Sequence, residues 1–253
     1  MWTGWARPVA CVLSAAALLA GCSAAPQDPA SETAAAKAPQ LSAWKPCPGD
    51  GPAGVECATL EVPYDYTRPD GQWFTVPVSR IPSTAAKPQL LVMNPGGPGI
   101  SGVADLRSEL DYYKKFTDVY TVVSFDPRGM GGSSPAVSCL DEGQQAAIFN
   151  QPSVPRSEAD ELRRQELSAG IGAACKRRFD SALGHVGTEN VVRDMDAIRA
   201  AMGFDKINYL GYSYGTFLGA LYLQMFPERT GRVVLDSVMA PELDYREVRH
   251  GQA

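Results

Sequence analysis

Five residues constrain this chain more than any others. Gly211-Tyr212-Ser213-Tyr214-Gly215 reads G-x-S-x-G and lies between the apolar run INYL (207–210) and a helical apolar stripe. The pattern puts a serine on a sharp strand-to-helix turn, where the two glycines let strand and helix approach while the serine takes a strained backbone. The first turn of the helix then directs its free N–H groups, and the positive end of its dipole, at an oxyanion formed there. Ser213 is thus the candidate nucleophile, and the N–H of Tyr214 a candidate oxyanion donor. A serine hydroxyl attacks poorly unless a base takes its proton. The chain holds two histidines, His185 and His250, and neither falls where such a base is expected.

The flanking sequence predicts an α/β fold. QLLVMN, VYTVVSFD and RVVLD are continuous apolar runs, as suits strands buried on both faces of a parallel sheet. VECATLEV and FTVPV alternate instead, and Pro77 inside the second places that strand at a sheet edge. TENVVRDMDAIRAAMG puts Val191, Val192, Met195, Ile198 and Met202 on one helix face, with Thr188 as N-cap and Gly203 closing the end. After Ser213, Tyr214, Phe217, Leu218, Leu221, Tyr222, Met225 and Phe226 form one stripe that Pro227 stops. Strands alternating with helices imply right-handed crossovers. Residues 135–187 form a more polar insertion, in which one helix is expected, started at Ser157.

A second glycine-rich loop, NPGGPGISG (94–102), follows the strand QLLVM. Gly96 or Gly97 can supply the other oxyanion donor, since a residue without Cβ lets substrate approach the backbone. The same letters, Gly97, Gly99 and Gly102, spell G-x-G-x-x-G, with Asp126 ending the next strand where a ribose-binding acid belongs. Pro95 and Pro98 weigh against a dinucleotide, because they remove N–H donors that a pyrophosphate needs. No cofactor is expected. FDPRGMGGSSP (125–135) reads as scaffold, with glycines for turns and with Asp126 and Arg128 tying the loop together. No Cys/His cluster has metal-ligand spacing, so no metal is expected either.

The N-terminus points outside the cytoplasm. Residues 1–21 read as a signal peptide, with Arg7 ahead of an apolar run (9–20) too short to span a bilayer. Leu19-Ala20-Gly21-Cys22 has the form of a lipobox, which makes Cys22 the expected lipid attachment site and a membrane surface the expected partner. Residues 22–43, rich in Ala, Pro, Ser and Gln, read as a flexible tether. The expected location is extracytoplasmic and lipid-anchored, with plain secretion as the alternative. Cys47, Cys57, Cys139 and Cys175 form an even set that allows three pairings, free buried thiols being the other possibility. Proximity favours Cys47–Cys57 and Cys139–Cys175, worth roughly 3 and 4 kcal/mol in the chain-entropy model. A net charge of −5 offers no basic surface to nucleic acid.

Taken together, NPGGPGISG, FDPRGMGGSSP and GYSYGTFLGALYLQMFPERTGRVVLDSVMAP resemble the exported α/β-hydrolases of the tripeptidyl aminopeptidase and prolyl iminopeptidase group of actinobacteria. The likeness runs from about residue 44 to 253. It implies an α/β-hydrolase fold for 44–253, a Ser213 nucleophile, and hydrolysis of peptide bonds near a free N-terminus. Esterases share these motifs, so the implied substrate is a peptide or a small ester.

In this fold the triad runs Ser, then Asp or Glu, then His. The residues after Ser213 hold one strand, RVVLD, and a polar stretch. The expectation is therefore the N-terminal part of such a domain, cut before the cap and the last strands, lacking the triad acid and histidine and inactive alone. His250 is expected to be a solvated tail residue, and His185 a surface or packing residue. Asp236 ends the last strand, where a few lipases carry their acid, but means little without a histidine. The alternative is a non-catalytic lipoprotein that binds peptides in the hydrolase cleft. The oligomeric state is not legible.

Overall fold

The computed structural model of the chain describes residues 37–49, 51–152 and 154–240. The expected signal peptide, Cys22, most of the expected tether and His250 lie outside the described residues. Eight strands form one sheet. β1 (Gln40–Leu41), β2 (Lys45–Pro46), β3 (Glu56–Pro63) and β4 (Trp73–Ile81) make its antiparallel part. β5 (Gln89–Asn94), β6 (Tyr120–Phe125), β7 (Ile207–Tyr212) and β8 (Thr230–Asp236) make its parallel part. The spatial order is β1-β3-β4-β6-β5-β7-β8, with β2 also paired to β3.

Helices cover both faces: α1 (Gly102–Ser108), α2 (Leu110–Tyr113), α3 (Glu142–Phe149), α4 (Glu158–Leu183), α5 (Thr188–Ala201) and α6 (Tyr214–Met225). On one face Leu90, Val92, Val123 and Tyr209 pack with Val192, Met195 and Ile198 of α5 and with Leu218 and Tyr222 of α6. On the other, Leu91, Met93, Val122 and Leu210 meet Leu106, Leu110 and Tyr113 of α1 and α2. Each such side chain contributes about 1.5–3 kcal/mol on burial. That two-sided burial is why these strands read as unbroken apolar runs.

The order places the functional loops. From β5 the chain crosses first to β6 on one side and later to β7 on the other. The carboxyl ends of β5 and β7 lie level, with Asn94 opposite Gly211, at the switch point where open α/β sheets leave a crevice. NPGGPGISG follows β5, and Ser213 follows β7.

Several expectations are corrected. β4 is not an edge strand, since it pairs with both β3 and β6. Pro77 is tolerated because the β6 ladder begins at Val78 opposite Phe125, and the Pro77 carbonyl, accepting from Asp126 N–H at 3.0 Å, faces the side just past that ladder's end. The missing N–H would have pointed the same way, where no strand needs it. Among the described residues the insertion holds α3 as well as α4, which is kinked at Phe179 (φ −137°, ψ 24°), where one helix was expected. α3 opens with a reciprocal cap in which Asp141 Oδ1 accepts from Gln144 N–H at 2.8 Å and Gln144 Oε1 accepts from Asp141 N–H at 3.1 Å. α4 starts after Ser157, whose hydroxyl accepts from Asp160 N–H at 3.1 Å. α5 is preceded by Gly187, so Thr188 is its first residue rather than its N-cap. The expected α6 stripe is largely inward, with Leu218 and Tyr222 buried and Tyr214, Leu221, Met225 and Phe226 packed against the core, but the buried face also takes in Gly215, Thr216 and Gly219.

Disulfides join Cys47 to Cys57 and Cys139 to Cys175. The first ties the segment after β2 to β3, and the second ties the approach to α3 onto α4. Among the described residues no helix is long and apolar enough to cross a membrane.

Candidate active site

Ser213 joins β7 to α6 with φ 51° and ψ −121°. A residue with a Cβ enters that region at a cost of about 1–3 kcal/mol, and stays only when its surroundings over-determine it. Here they do. Ser213 N–H donates to the carbonyl of Asp236 at 3.0 Å, and the Ser213 carbonyl accepts from Thr216 N–H at 2.8 Å and from Thr216 Oγ1 at 2.6 Å. Thr216 Oγ1 in turn accepts from Met239 N–H at 2.9 Å. Thr216, which the sequence reading passed over, therefore locks the turn from below.

The flanking glycines are required by close approach. A Cβ on Gly215 would stand 2.6 Å from the carbonyl oxygen of Asn94, and one on Gly211 would meet the Gly215 carbonyl and the Tyr209 ring. Tyr209 completes the contact, its hydroxyl donating to the Gly215 carbonyl at 2.7 Å.

The loop after β5 lies directly against this turn. A Cβ on Gly96 would be 2.5 Å from Tyr212 O, 3.2 Å from Ser213 Cβ and 3.3 Å from Tyr214 N. Gly96, Gly97 and Gly99 have φ of 98°, 109° and 98°, values that suit glycine alone. Gly96 N–H is engaged, donating to Asn94 Oδ1 at 3.0 Å. Pro95 and Pro98 carry no N–H. The backbone N–H of Tyr214, next to Ser213, and that of Gly97, next to Gly96 in the loop, have no acceptor among the described residues.

Asp126 fixes that loop from behind. Its Oδ1 accepts from Ser101 Oγ at 2.7 Å and from Val103 N–H at 3.1 Å, and its Oδ2 from Gly132 N–H at 2.8 Å. The carboxylate thus ties the loops after β5 and β6 to each other. Arg128 does not share that task, contrary to expectation. It is fully buried, with Nε and Nη2 donating to Asp194 of α5 at 2.8 and 2.5 Å, and Nη1 to the carbonyls of Tyr64 and His185 at 3.0 and 3.1 Å. Tyr66 adds its hydroxyl to Asp194 at 2.7 Å.

Among the described residues no side chain is hydrogen-bonded to the Ser213 hydroxyl. The ring of His185 lies 5.9 Å from that of Tyr64, and its carbonyl accepts from Arg128 and Asn190. Asp236 presents its carbonyl to Ser213, while its carboxylate accepts from Ser237 Oγ at 3.1 Å. Tyr212 and Tyr214 flank the serine, with hydroxyls bonded to Tyr112 at 2.9 Å and Thr188 at 2.8 Å. Burial raises both phenols above their ordinary value, so they stay protonated and cannot accept a proton from Ser213. Among the described residues no group of three or more His, Cys, Asp or Glu is placed to hold a metal ion.

The strained serine at the switch point, against a glycine loop, agrees with comparisons to known proteins. The alpha/beta hydrolase fold family matches residues 89–252. This chain belongs to the α/β-hydrolase family. It is 39% identical over 209 residues to the tripeptidyl aminopeptidase of Streptomyces coelicolor, a match covering 79% of this chain and 38% of that protein. Serine protease Hip1 of Mycobacterium tuberculosis is 39% identical over 217 residues, covering 83% of this chain and 42% of its own length. Carboxylesterase B of the same organism is 37% identical over 191 residues, covering 74% and 36%. This hydrolase chain therefore spans less than half the length of these relatives.

Proposed function

We propose that the chain is the nucleophile-bearing part of an exported serine hydrolase that cleaves peptides from a free N-terminus. One observation carries the reading: Ser213 is held in a strained turn against which the glycine loop lies at Gly96, and this reading assigns the N–H groups of Gly97 and Tyr214 as the oxyanion donors. Ser213 Oγ attacks the substrate carbonyl, its proton passes to a base, and the carbonyl oxygen takes up the negative charge against those two donors. Gly96 is left out of this oxyanion hole, because its N–H already serves Asn94. The triad acid and histidine belong, on this reading, to the part of the relatives' length that this chain does not span. The names of the two 39% identical relatives favour a peptide substrate, and that of carboxylesterase B supports an ester as the second reading.

The test is active-site labelling of the full-length product of the gene with a fluorophosphonate, beside peptide anilide and nitrophenyl ester hydrolysis. Labelling that Ser213→Ala abolishes, with anilide turnover, is the expected result. Turnover that survives Ser213→Ala would end the proposal, and ester turnover alone would favour the second reading. The 253-residue chain by itself should reach only about 10³-fold over water, from its oxyanion donors; ordinary peptidase rates from it would place the base within this sequence. Lipid anchoring at Cys22 is part of the proposal, and Cys22→Ser should release the protein from membranes. Unmodified soluble wild-type protein with its N-terminus intact would exclude it.

A further inference from the structure

Two large apolar side chains stand uncovered beside the glycine loop. Ile100 is 49% exposed and Met130 is 37% exposed. Ile100 leans on the loop itself, since a Cβ on Gly97 would come within 3.3 Å of its Cγ1. Met130 reaches in from the neighbouring loop, its sulfur 3.1 Å from where a Cβ on Gly99 would lie. Neither is loose. Asp126 fixes both loops through Ser101, Val103 and Gly132, and Met130 sits in a turn closed by its N–H to Pro127 O at 3.0 Å and by Ser133 N–H to its own carbonyl at 2.9 Å.

Ile100 does not form the usual staple. It precedes the N-cap Ser101, where an apolar residue ordinarily packs against the fourth residue of the helix. That residue is Asp105, whose carboxylate accepts from Tyr113 Oη at 2.8 Å, so no apolar staple forms. Ile100 stands next to Gly97, its Cγ1 3.3 Å from where a Gly97 Cβ would lie.

We propose that Ile100 and Met130 form an apolar wall that receives the substrate group adjoining the scissile carbonyl. This makes the enzyme selective for a substrate with an apolar side chain or acyl chain there. The proposal rests on the Ser213 reading and deepens it. A carbonyl oxygen seated on the Gly97 and Tyr214 N–H groups holds its substituents within reach of the Ile100 side chain packed on Gly97. The adaptable thioether of Met130 suits a surface that closes over chains of different shape. Apolar contacts of this kind discriminate by roughly 10- to 200-fold per methylene-sized difference at most, so the wall sets a preference rather than an absolute rule.

The experiment compares an ethyl and an octyl fluorophosphonate with the same leaving group, reading second-order rates of Ser213 labelling in the full-length gene product. In Ile100→Ser with Met130→Ser, the octyl-to-ethyl rate ratio should fall about tenfold. Ile100→Val should keep most of the wild-type ratio. Leu223→Ser, which removes an equally exposed side chain from the far part of α6, should leave the ratio unchanged. Thermal melting checks that each variant is folded. An unchanged ratio in the double variant, or an equal fall with both probes, overturns the wall while leaving the nucleophile standing. Absent labelling in wild type, or labelling that survives Ser213→Ala, removes the Ser213 reading and the wall with it.

Discussion

Ser213 can hold its strained backbone only because Gly215 lets α6 sit on the end of β5. A Cβ at Gly215 would be 2.6 Å from a backbone oxygen, that of Asn94, which cannot swing away as a side-chain end would. Gly215→Ala must therefore shift either α6 or Asn94, and Asn94 also positions Gly96 through its side chain. We expect a loss of about 1–3 kcal/mol in stability, typical of overpacking. Fluorophosphonate labelling of Ser213 should fall as well, because the Gly97 donor moves with the loop. Gly172 on α4 provides the contrast, having nothing within 4 Å of its would-be Cβ. There alanine should stabilise by about 0.5–1 kcal/mol, since a helix-interior glycine costs about that much. Urea unfolding of the two variants measures both signs; a Gly215→Ala protein as stable and reactive as wild type would contradict the close-contact account.

At the scale of elements, Arg128 and Asp194 form the clamp. The Arg128 guanidinium holds the loop after β6, the carbonyl end of β3 at Tyr64, the chain after α4 at His185, and α5 through Asp194. Removing the cation leaves a buried carboxylate whose remaining side-chain partner among the described residues is Tyr66. Arg128→Met should cost roughly 3–5 kcal/mol, and adding Asp194→Leu should recover much of it, because an apolar pair needs no compensation. Denaturant unfolding of the single and double variants tests this, and a double variant less stable than the single one would refute it. The sequence could not reveal the clamp, since its two members lie 66 residues apart and carry no local pattern. What was legible were features with local causes: the apolar runs of β5 and β6 buried on two faces, the serine cap of α4, and glycine turns; RVVLD, expected to be such a run, is instead the largely exposed strand β8, because it ends the sheet among the described residues. Pro77 misled because the proline rule concerns which side of a strand lacks a donor, and only the short β6 ladder decides that. α3 was missed because it buries none of its residues and so shows no apolar face, although its Asp141/Gln144 cap was readable.

In the whole molecule, local and distant causes meet at the carboxyl ends of β5 and β7. The strained serine turn and both glycine loops were legible because strain and close approach demand glycine at fixed positions. The choice of Gly97 over Gly96 was not, since it turns on one hydrogen bond from Gly96 to Asn94. A base was illegible for another reason: a triad is assembled by topology, and no described side chain is hydrogen-bonded to the Ser213 hydroxyl. The same topology exposes β8, which ends the sheet with β7 on one side and, among the described residues, no strand on the other. Val234 of this strand is 56% exposed, and Val238 just beyond it is 64% exposed. An apolar edge of that kind pairs readily with another chain. The 253-residue chain should accordingly self-associate as its concentration rises, seen as growing scattering mass in size-exclusion chromatography. A lysine at the edge resists such pairing because its charge would be buried in the joined sheet. Val234→Lys should therefore lower the association without lowering the melting temperature much, its side chain being more than half in solvent already. Association that persists unchanged in Val234→Lys would show that the contact forms elsewhere, and Phe149, 83% exposed on α3, would then be the side chain to replace next.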